Sequence, residues 1–269
     1  MNSVRCSEEF ITGWGMMRSQ IYKTDAINLK SYPLKESDKI MVMYSKEKGI
    51  IRAVARGTKK PKSTLGARMD NFIANSVMLS KGKNMDVVAQ AETINAFSQT
   101  RKDLDKIFYS MYATEIIGNF GTENDISSKE VYDTLYKTLN SISNSKNKKD
   151  ILLALMKFQL KIMKISGCLP EFNTCLCCGR KIENEGYFSG ENFGVICPEC
   201  LNDTAGKVIL HKKIRDFLNY LTDADFYILT DYELKATEKI CTTCFEFLKD
   251  CINKNSLKKI NSEKALVFI

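Results

Sequence analysis

Two C-x2-C pairs, Cys175 with Cys178 and Cys197 with Cys200, stand eighteen residues apart in a chain of 269 residues that has a single histidine. No other feature limits the local fold so tightly. Two residues between ligands let a tight turn aim both thiolates at one ion, and two such turns complete a tetrahedron, so the spacing predicts one Zn2+ per chain. Four thiolates leave no position for water or substrate, so the metal is expected to brace the chain and not to do chemistry. Gly179 follows the first pair and Pro198 lies within the second, while "GYFSGENFGVI" between them reads as a short hairpin joining two knuckles. The competing reading is four free thiols or two redox pairs. Cys177, in "FNTCLCCGRKIE", is only one residue removed from Cys175 and fits the turn poorly; it reads as a bystander. Cys241 and Cys244 form a third C-x2-C, but with Ile240, Phe245, Leu248, Cys251 and Ile252 they follow helical spacing, which makes them small buried hydrophobes. Cys6 and Cys168 carry no signal.

The rest of the chain changes period once. Between residues 20 and 97, "QIYKTDAINLK", "DKIMVMYSK", "GIIRAVARG", "NFIANSVMLSK" and "MDVVAQAETINAF" have strand-like length and composition and are separated by turn residues. Five short strands in such a span predict a small closed barrel, with the oligonucleotide-binding (OB) fold ahead of an SH3-like alternative. Beyond residue 97 the period is helical. Leu104, Ile107, Phe108, Met111 and Tyr112 lay one apolar stripe, and Val131, Tyr132, Leu135, Tyr136, Leu139 and Ile142 lay another. Asp150 is read as the N-cap of "ILLALMKFQLKIMKI", which Gly167 and Pro170 close. "KKIRDFLNYL" and "YELKATEKICTTCFEFLKDCI" return to helical spacing, so the cysteine unit is an insertion among helices. The expected class is therefore α+β and multidomain: an extension over residues 1–16, a five-stranded OB-fold barrel over 17–97, an all-α domain over 98–172 and 204–269, and an inserted four-cysteine zinc finger over 173–203.

The net charge of +8 is unevenly held, because residues 17–97 carry fifteen Lys and Arg against seven Asp and Glu while the remainder is neutral. A polyanion is the natural partner for such a chain. In "GIIRAVARGTKKPKS", Arg52 and Arg56 alternate with Ile51, Ala53 and Ala55, which puts both arginines outside a strand, and Lys59, Lys60 and Lys62 continue the charge into the following loop. A solvated basic face is the plainer alternative. Tyr22, Tyr32, Tyr44 and Phe72 are candidate stacking platforms whose orientation the pattern does not give. No phosphate loop or dinucleotide fingerprint occurs. His211 sits beside two lysines at a helix start, a surface setting, and the acidic runs "TENDIS" and "TDADFYILTDYE" read as caps and turns in preference to magnesium sites. The expectation is a binding protein and not an enzyme. Without a stretch long enough to span a membrane or a secretory leader, a reducing cytoplasmic setting is expected.

A barrel opening "YKTDAINLKSYPLKESDKIMVMYSKEKGIIRAVARGTKKPKS", then helices, then "CLCCG…CPEC" among them, resembles the RecO family of bacterial recombination mediators. The resemblance covers about residues 17–260, and "ARGTKKPKS" is its most specific part. It implies a protein of the RecF pathway that binds single- and double-stranded DNA, anneals complementary strands, and works with RecR to load RecA on DNA coated by single-strand-binding protein, SSB. It also implies zinc ligation by Cys175, Cys178, Cys197 and Cys200, a basic barrel region containing Arg52, Arg56, Lys59, Lys60 and Lys62, docking of the SSB C-terminal tail on the helical domain, and a nucleoid-associated location in the cytoplasm. Residues 1–16 and Cys177 depart from the family pattern. A zinc-ribbon adaptor in transcription or RNA processing and a metal-dependent nuclease are the alternatives.

Overall fold

A computed structural model describes residues 20–203 and 206–266; the extension expected over residues 1–16 lies outside them. Five strands, β1 (Ile21–Pro33), β2 (Lys39–Ser45), β3 (Gly49–Ala55), β4 (Ala74–Ser80) and β5 (Asp86–Asn95), close into a barrel of order β1-β2-β3-β5-β4. All neighbours are antiparallel except β3 and β5, which run parallel, and this order is that of the OB fold. Closure depends on the length of β1. Its first half pairs with β4 through Ile21–Ile27 and its second half with β2 through Pro33, with a shift in register between Asn28 and Lys30. An irregularity of that kind bends a strand, and here it lets one strand serve both sides of the barrel. The stretch "SYPLKES" between the first two strand runs predicts a break, yet its first three residues extend β1 to Pro33.

The barrel interior is filled by Ala26, Met41, Met43, Ile51, Ala53, Ala55, Val77, Leu79 and Val88, with Met69 from the β3–β4 connection as a plug. Small alanines and adaptable methionines suit a narrow, tapering lumen. The strict alternation of a half-buried strand fails in β1, where Ala26, Ile27, Asn28 and Leu29 are all buried. The reason lies outside the barrel: Ile27, Leu29, Val42, Tyr44 and Ile50 face outward but are covered by the helical domain and join its core.

That domain begins with α1 (Leu104–Phe120), α2 (Ser128–Asn144) and α3 (Lys148–Ile165) and ends with α4 (Lys212–Asp223), α5 (Asp231–Lys235), α6 (Glu238–Asn255) and α7 (Glu263–Leu266). α3 is the axis, packed against α1, α2, α4 and α6, and it is buried without interruption from Ile151 to Leu160. Its N-cap is Asn147, whose side chain accepts the Asp150 N–H at 2.9 Å, so Asp150 lies in the first turn and is not the cap. At the other end Gly167 has φ +70, and the Gly167 and Cys168 amides return to the carbonyls of Lys164 and Met163. This double closure needs a left-handed residue, which glycine supplies without a Cβ clash.

The α2 stripe from Val131 to Ile142 packs into the core, whereas the α1 stripe is rotated from its expected position. Tyr109, Tyr112, Ala113, Ile116 and Ile117 face inward, while Leu104 is 69% and Met111 39% exposed. α1 carries apolar residues around most of its girth, and the neighbours, not the spacing, select the face. The last helical segment is broken at Ala236 and Thr237, where the Thr237 hydroxyl caps α6.

The cysteine unit is a three-stranded sheet of order β7-β6-β8, formed by the hairpin β6 (Gly186–Ser189) and β7 (Gly194–Ile196) and by β8 (Lys207–Leu210) on the free edge of β6. The sheet thus takes in residues beyond 203. Phe172, Phe188, Val195, Cys175 and Cys197 belong to the same buried cluster as α3 and α6. Arg215 of α4, fully buried, fastens the unit by donating to the Phe172, Ile182 and Asn184 carbonyls and the Asn173 side chain at 2.6–3.1 Å.

Candidate nucleic-acid interface and metal centre

On β3 the expected alternation holds: Ile51, Ala53 and Ala55 are buried and Arg52 and Arg56 exposed. The β2–β3 turn is fixed from outside, because Ile50 N–H donates to Thr122 O at 2.9 Å and Asn124 N–H to Lys48 O at 2.8 Å. Gly49, at φ +65, allows this approach; a Cβ there would lie 2.3 Å from the Thr122 carbonyl oxygen. The same contact brings in Glu123, whose carboxylate accepts from Arg52 Nη1 at 2.6 Å, both side chains being more than half exposed.

The basic loop that follows is tied to the β1–β2 turn. Gly57 N–H donates to Asp38 Oδ1 at 2.8 Å, Lys59 N–H to Ser37 O at 3.2 Å and the buried Thr58 hydroxyl to Ser37 O at 3.3 Å. Backbone bonds from Lys60 to Gly57 and from Ser63 to Lys60 shape the loop itself. Lys59, Lys60 and Lys62 are left exposed beside Arg56, so four of the five basic candidates stand at one end of the barrel, with Arg52 further down β3 on the other side of Val54. Two other lysines of the charged segment are engaged elsewhere: Lys46 pairs with Asp133 at 3.3 Å, and Lys48 lies 3.6 Å from the centre of the Tyr22 ring.

Of the four aromatic candidates, Tyr44 is buried with its hydroxyl on Asp125 at 2.8 Å, Phe72 is buried, and Tyr22 is half-buried with its hydroxyl on Asp86. Tyr32 is 48% exposed. It shares the outer face of the barrel with Lys30, and sequence reading had no means to orient the two because the irregularity after Asn28 resets the alternation.

In the cysteine unit the four expected sulfurs come together. The ligand atoms of Cys175, Cys178, Cys197 and Cys200 all lie within 4.8 Å of one another, and the Cys178 and Cys197 sulfurs are 3.8 Å apart. A tetrahedron with Zn–S bonds of about 2.3 Å has S···S edges of about 3.8 Å, whereas a disulfide would need about 2.05 Å. The residues fit a metal ion. Each knuckle is closed by its own backbone: Gly179 N–H returns to Cys175 O at 2.9 Å, Cys175 N–H goes to Arg180 O at 2.8 Å and Cys200 N–H to Cys197 O at 3.1 Å. Burial works to raise the Cys175 thiol pKa, but the N–H groups of Cys197, Cys178 and Cys177 outweigh it and bring the thiol down to about 6. Arg180 Nε lies 3.4 Å from the Cys178 sulfur and lowers that thiol as well. Cys177 is exposed and stands outside the group of four.

The remaining candidates take other positions. Cys241, Cys244 and Cys251 are buried on α6, where desolvation pushes their thiols up to about 11, 12 and 12. Such thiols are protonated and unreactive at neutral pH. His211 is exposed at the start of α4, its Nδ1 3.0 Å from Glu185. In the acidic runs, Asp125 accepts the Ser127 N–H and the Tyr44 hydroxyl, Asp225 accepts the Tyr227 N–H, and Glu233 closes the capping box of α5 while meeting the buried Lys157. Among the described residues no helix is long and apolar enough to cross a membrane.

An OB barrel with a basic end, fused to a helical domain that carries a four-cysteine unit, defines a two-domain architecture with a candidate nucleic-acid face and a candidate metal centre on different domains. Comparison with known families gives the same division. Residues 17–97 match the model described as "Recombination protein O N terminal" and residues 101–264 that described as "Recombination protein O C terminal". The chain is 31% identical over 249 residues to the DNA repair protein RecO of Desulforamulus reducens, covering 92% of this chain and 94% of that protein. It is 30% identical to RecO of Caldanaerobacter subterraneus over 204 residues, 76% and 81% of the two chains, and 28% identical to RecO of Acetivibrio thermocellus over 239 residues, 88% and 94%. The chain belongs to the RecO family.

Proposed function

We propose that this protein is a DNA-binding mediator of recombinational repair that acts without covalent chemistry, in the cytoplasm and associated with the nucleoid. Its basic barrel would hold single- and double-stranded DNA, promote annealing of complementary strands, and, together with RecR, help load RecA on SSB-coated DNA, with the SSB C-terminal tail docked on the helical domain. The observation that carries the reading is the cluster of Arg56, Lys59, Lys60 and Lys62 at one end of an OB barrel, with Arg52 beside it, in a chain of the RecO family.

The physical role of that cluster is charge neutralisation. Two strands repel each other through their phosphates, and cations that release condensed counterions from both lower the cost of bringing complementary bases into register. Loop lysines with several rotatable bonds suit backbone contact that is weakly dependent on sequence, since phosphates position and base edges specify. Cys175, Cys178, Cys197 and Cys200 would hold one Zn2+, which when bound supplies a rigid cross-link and no open coordination site. Arg215 and the surrounding aromatic residues then carry the stiffness of the knuckles into α4 and α6.

Annealing of two complementary oligonucleotides, bare and coated with SSB, tests the function. The protein is expected to speed duplex formation in both cases. Magnesium-dependent cleavage of the same labelled DNA, or stronger binding of matched RNA, would point to a nuclease or to an RNA-processing adaptor instead.

A further inference from the structure

The helical domain divides the outer face of β1, β2 and β3 into a covered and an open half. Ile27, Tyr44 and Ile50 form a row that lies under the helices. Further along the strands Lys30 stands opposite Val42 and Arg52, and beyond that Tyr32 stands opposite Ile40 and Val54. Directly paired residues project to the same side of a sheet, so Tyr32, Ile40 and Val54 make one continuous strip across three strands. Tyr32 is 48% exposed and Ile40 and Val54 are half-buried, which leaves the ring and both aliphatic side chains open to solvent.

The rim of this strip is cationic. Lys30 Nζ lies over the Tyr32 ring, 5.6 Å from its centre, the exposed Arg52 and Arg56 flank Val54, and the loop bearing Lys59 and Lys60 is bonded to the turn that follows β1. Of the nearby acids, Asp38 accepts the Gly57 N–H, Asp70 pairs with Lys39 at 3.3 Å and Glu123 pairs with Arg52, while Glu36 is exposed on the β1–β2 turn. An exposed aromatic ring in line with two half-buried aliphatic side chains, bordered by cations, is complementary to a base with its phosphates. A duplex keeps its base faces inside the stack and cannot present one to Tyr32.

We infer that the Tyr32–Ile40–Val54 row is a stacking shelf for an unpaired base, and that it gives the barrel a preference for single-stranded over duplex nucleic acid. The inference rests on the reading of the barrel as the DNA-binding surface. It is tested on the full chain with Tyr32→Ala and Tyr32→Phe, titrated by fluorescence anisotropy against a labelled oligothymidine and a labelled duplex of equal length. Tyr32→Ala should weaken the oligothymidine complex about tenfold and the duplex complex less than twofold, while Tyr32→Phe, which keeps the ring, should bind both like the parent. Thermal melting at the parent temperature establishes that the exposed substitution leaves the fold intact. Unchanged single-strand affinity, or an equal loss on both ligands, overturns the shelf. A variant with Arg52, Arg56, Lys59, Lys60 and Lys62 replaced by alanine separates the two levels. If it loses affinity for both ligands while Tyr32→Ala loses none, the shelf alone falls; if it binds both like the parent, the barrel is not the DNA surface and the shelf falls with it.

Discussion

Cys175 and Cys177 are two residues apart, yet one is buried beside three other sulfurs and the other faces solvent. The difference follows from the knuckle: hydrogen bonds between Cys175 and both Gly179 and Arg180 turn the chain back over its own sulfur, and the residue at the middle of such a turn points away. The two cysteines should therefore respond oppositely to the same substitution. Cys177→Ser is expected to retain one zinc per chain and the parent melting temperature, whereas Cys175→Ser should lose the metal, as read by elemental analysis of the purified proteins. The cluster of four cysteines was legible because metal-site geometry is written into local spacing. The environment of Arg52 was not. Its carboxylate partner, Glu123, lies 71 positions further along the chain, on a loop that reaches the barrel only because Gly49 leaves room for it.

At the scale of elements, the strands were legible from composition and turn residues, and the α2 helix from its stripe. The inward face of α1 was not, because Leu104 and Met111 satisfy the same spacing as the residues that turn inward. A helix with apolar residues on several sides is oriented by what packs on it, and that information is not local. Arg215 is a second case. Nothing in "KKIRDFLNYL" marks one cation out, but α4 places this one where its guanidinium meets three carbonyls and an amide oxygen of the first knuckle. Removing it leaves several buried acceptors without donors, at about 1–3 kcal/mol each. Arg215→Met is expected to lower stability by about 3 kcal/mol or more in urea unfolding and to weaken zinc retention against a chelator, although no ligand is altered. Unchanged zinc retention in a destabilised protein would show that the knuckle holds its shape without α4.

For the molecule as a whole, one apolar cluster runs from the outer face of the barrel through α1, α2, α3 and α6 to Cys175 and Cys197. The cysteine unit is thus part of the main core, unlike a finger on a linker. Stripping the metal should accordingly lower the single melting transition of the chain, not merely release a local segment, and calorimetry with and without chelator reads the difference. The same core holds the barrel in place while leaving the end that bears Arg56, Lys59, Lys60 and Lys62 exposed. The central claim is that this surface binds DNA through its phosphates. The most direct measurement is the salt dependence of single-strand affinity for the parent and for the variant with Arg52, Arg56, Lys59, Lys60 and Lys62 replaced by alanine. Each lost phosphate contact removes about 0.7 from the slope of log K against log salt, so the variant should bind more weakly with a slope flatter by up to about 3.5; an unchanged affinity and slope would contradict the account.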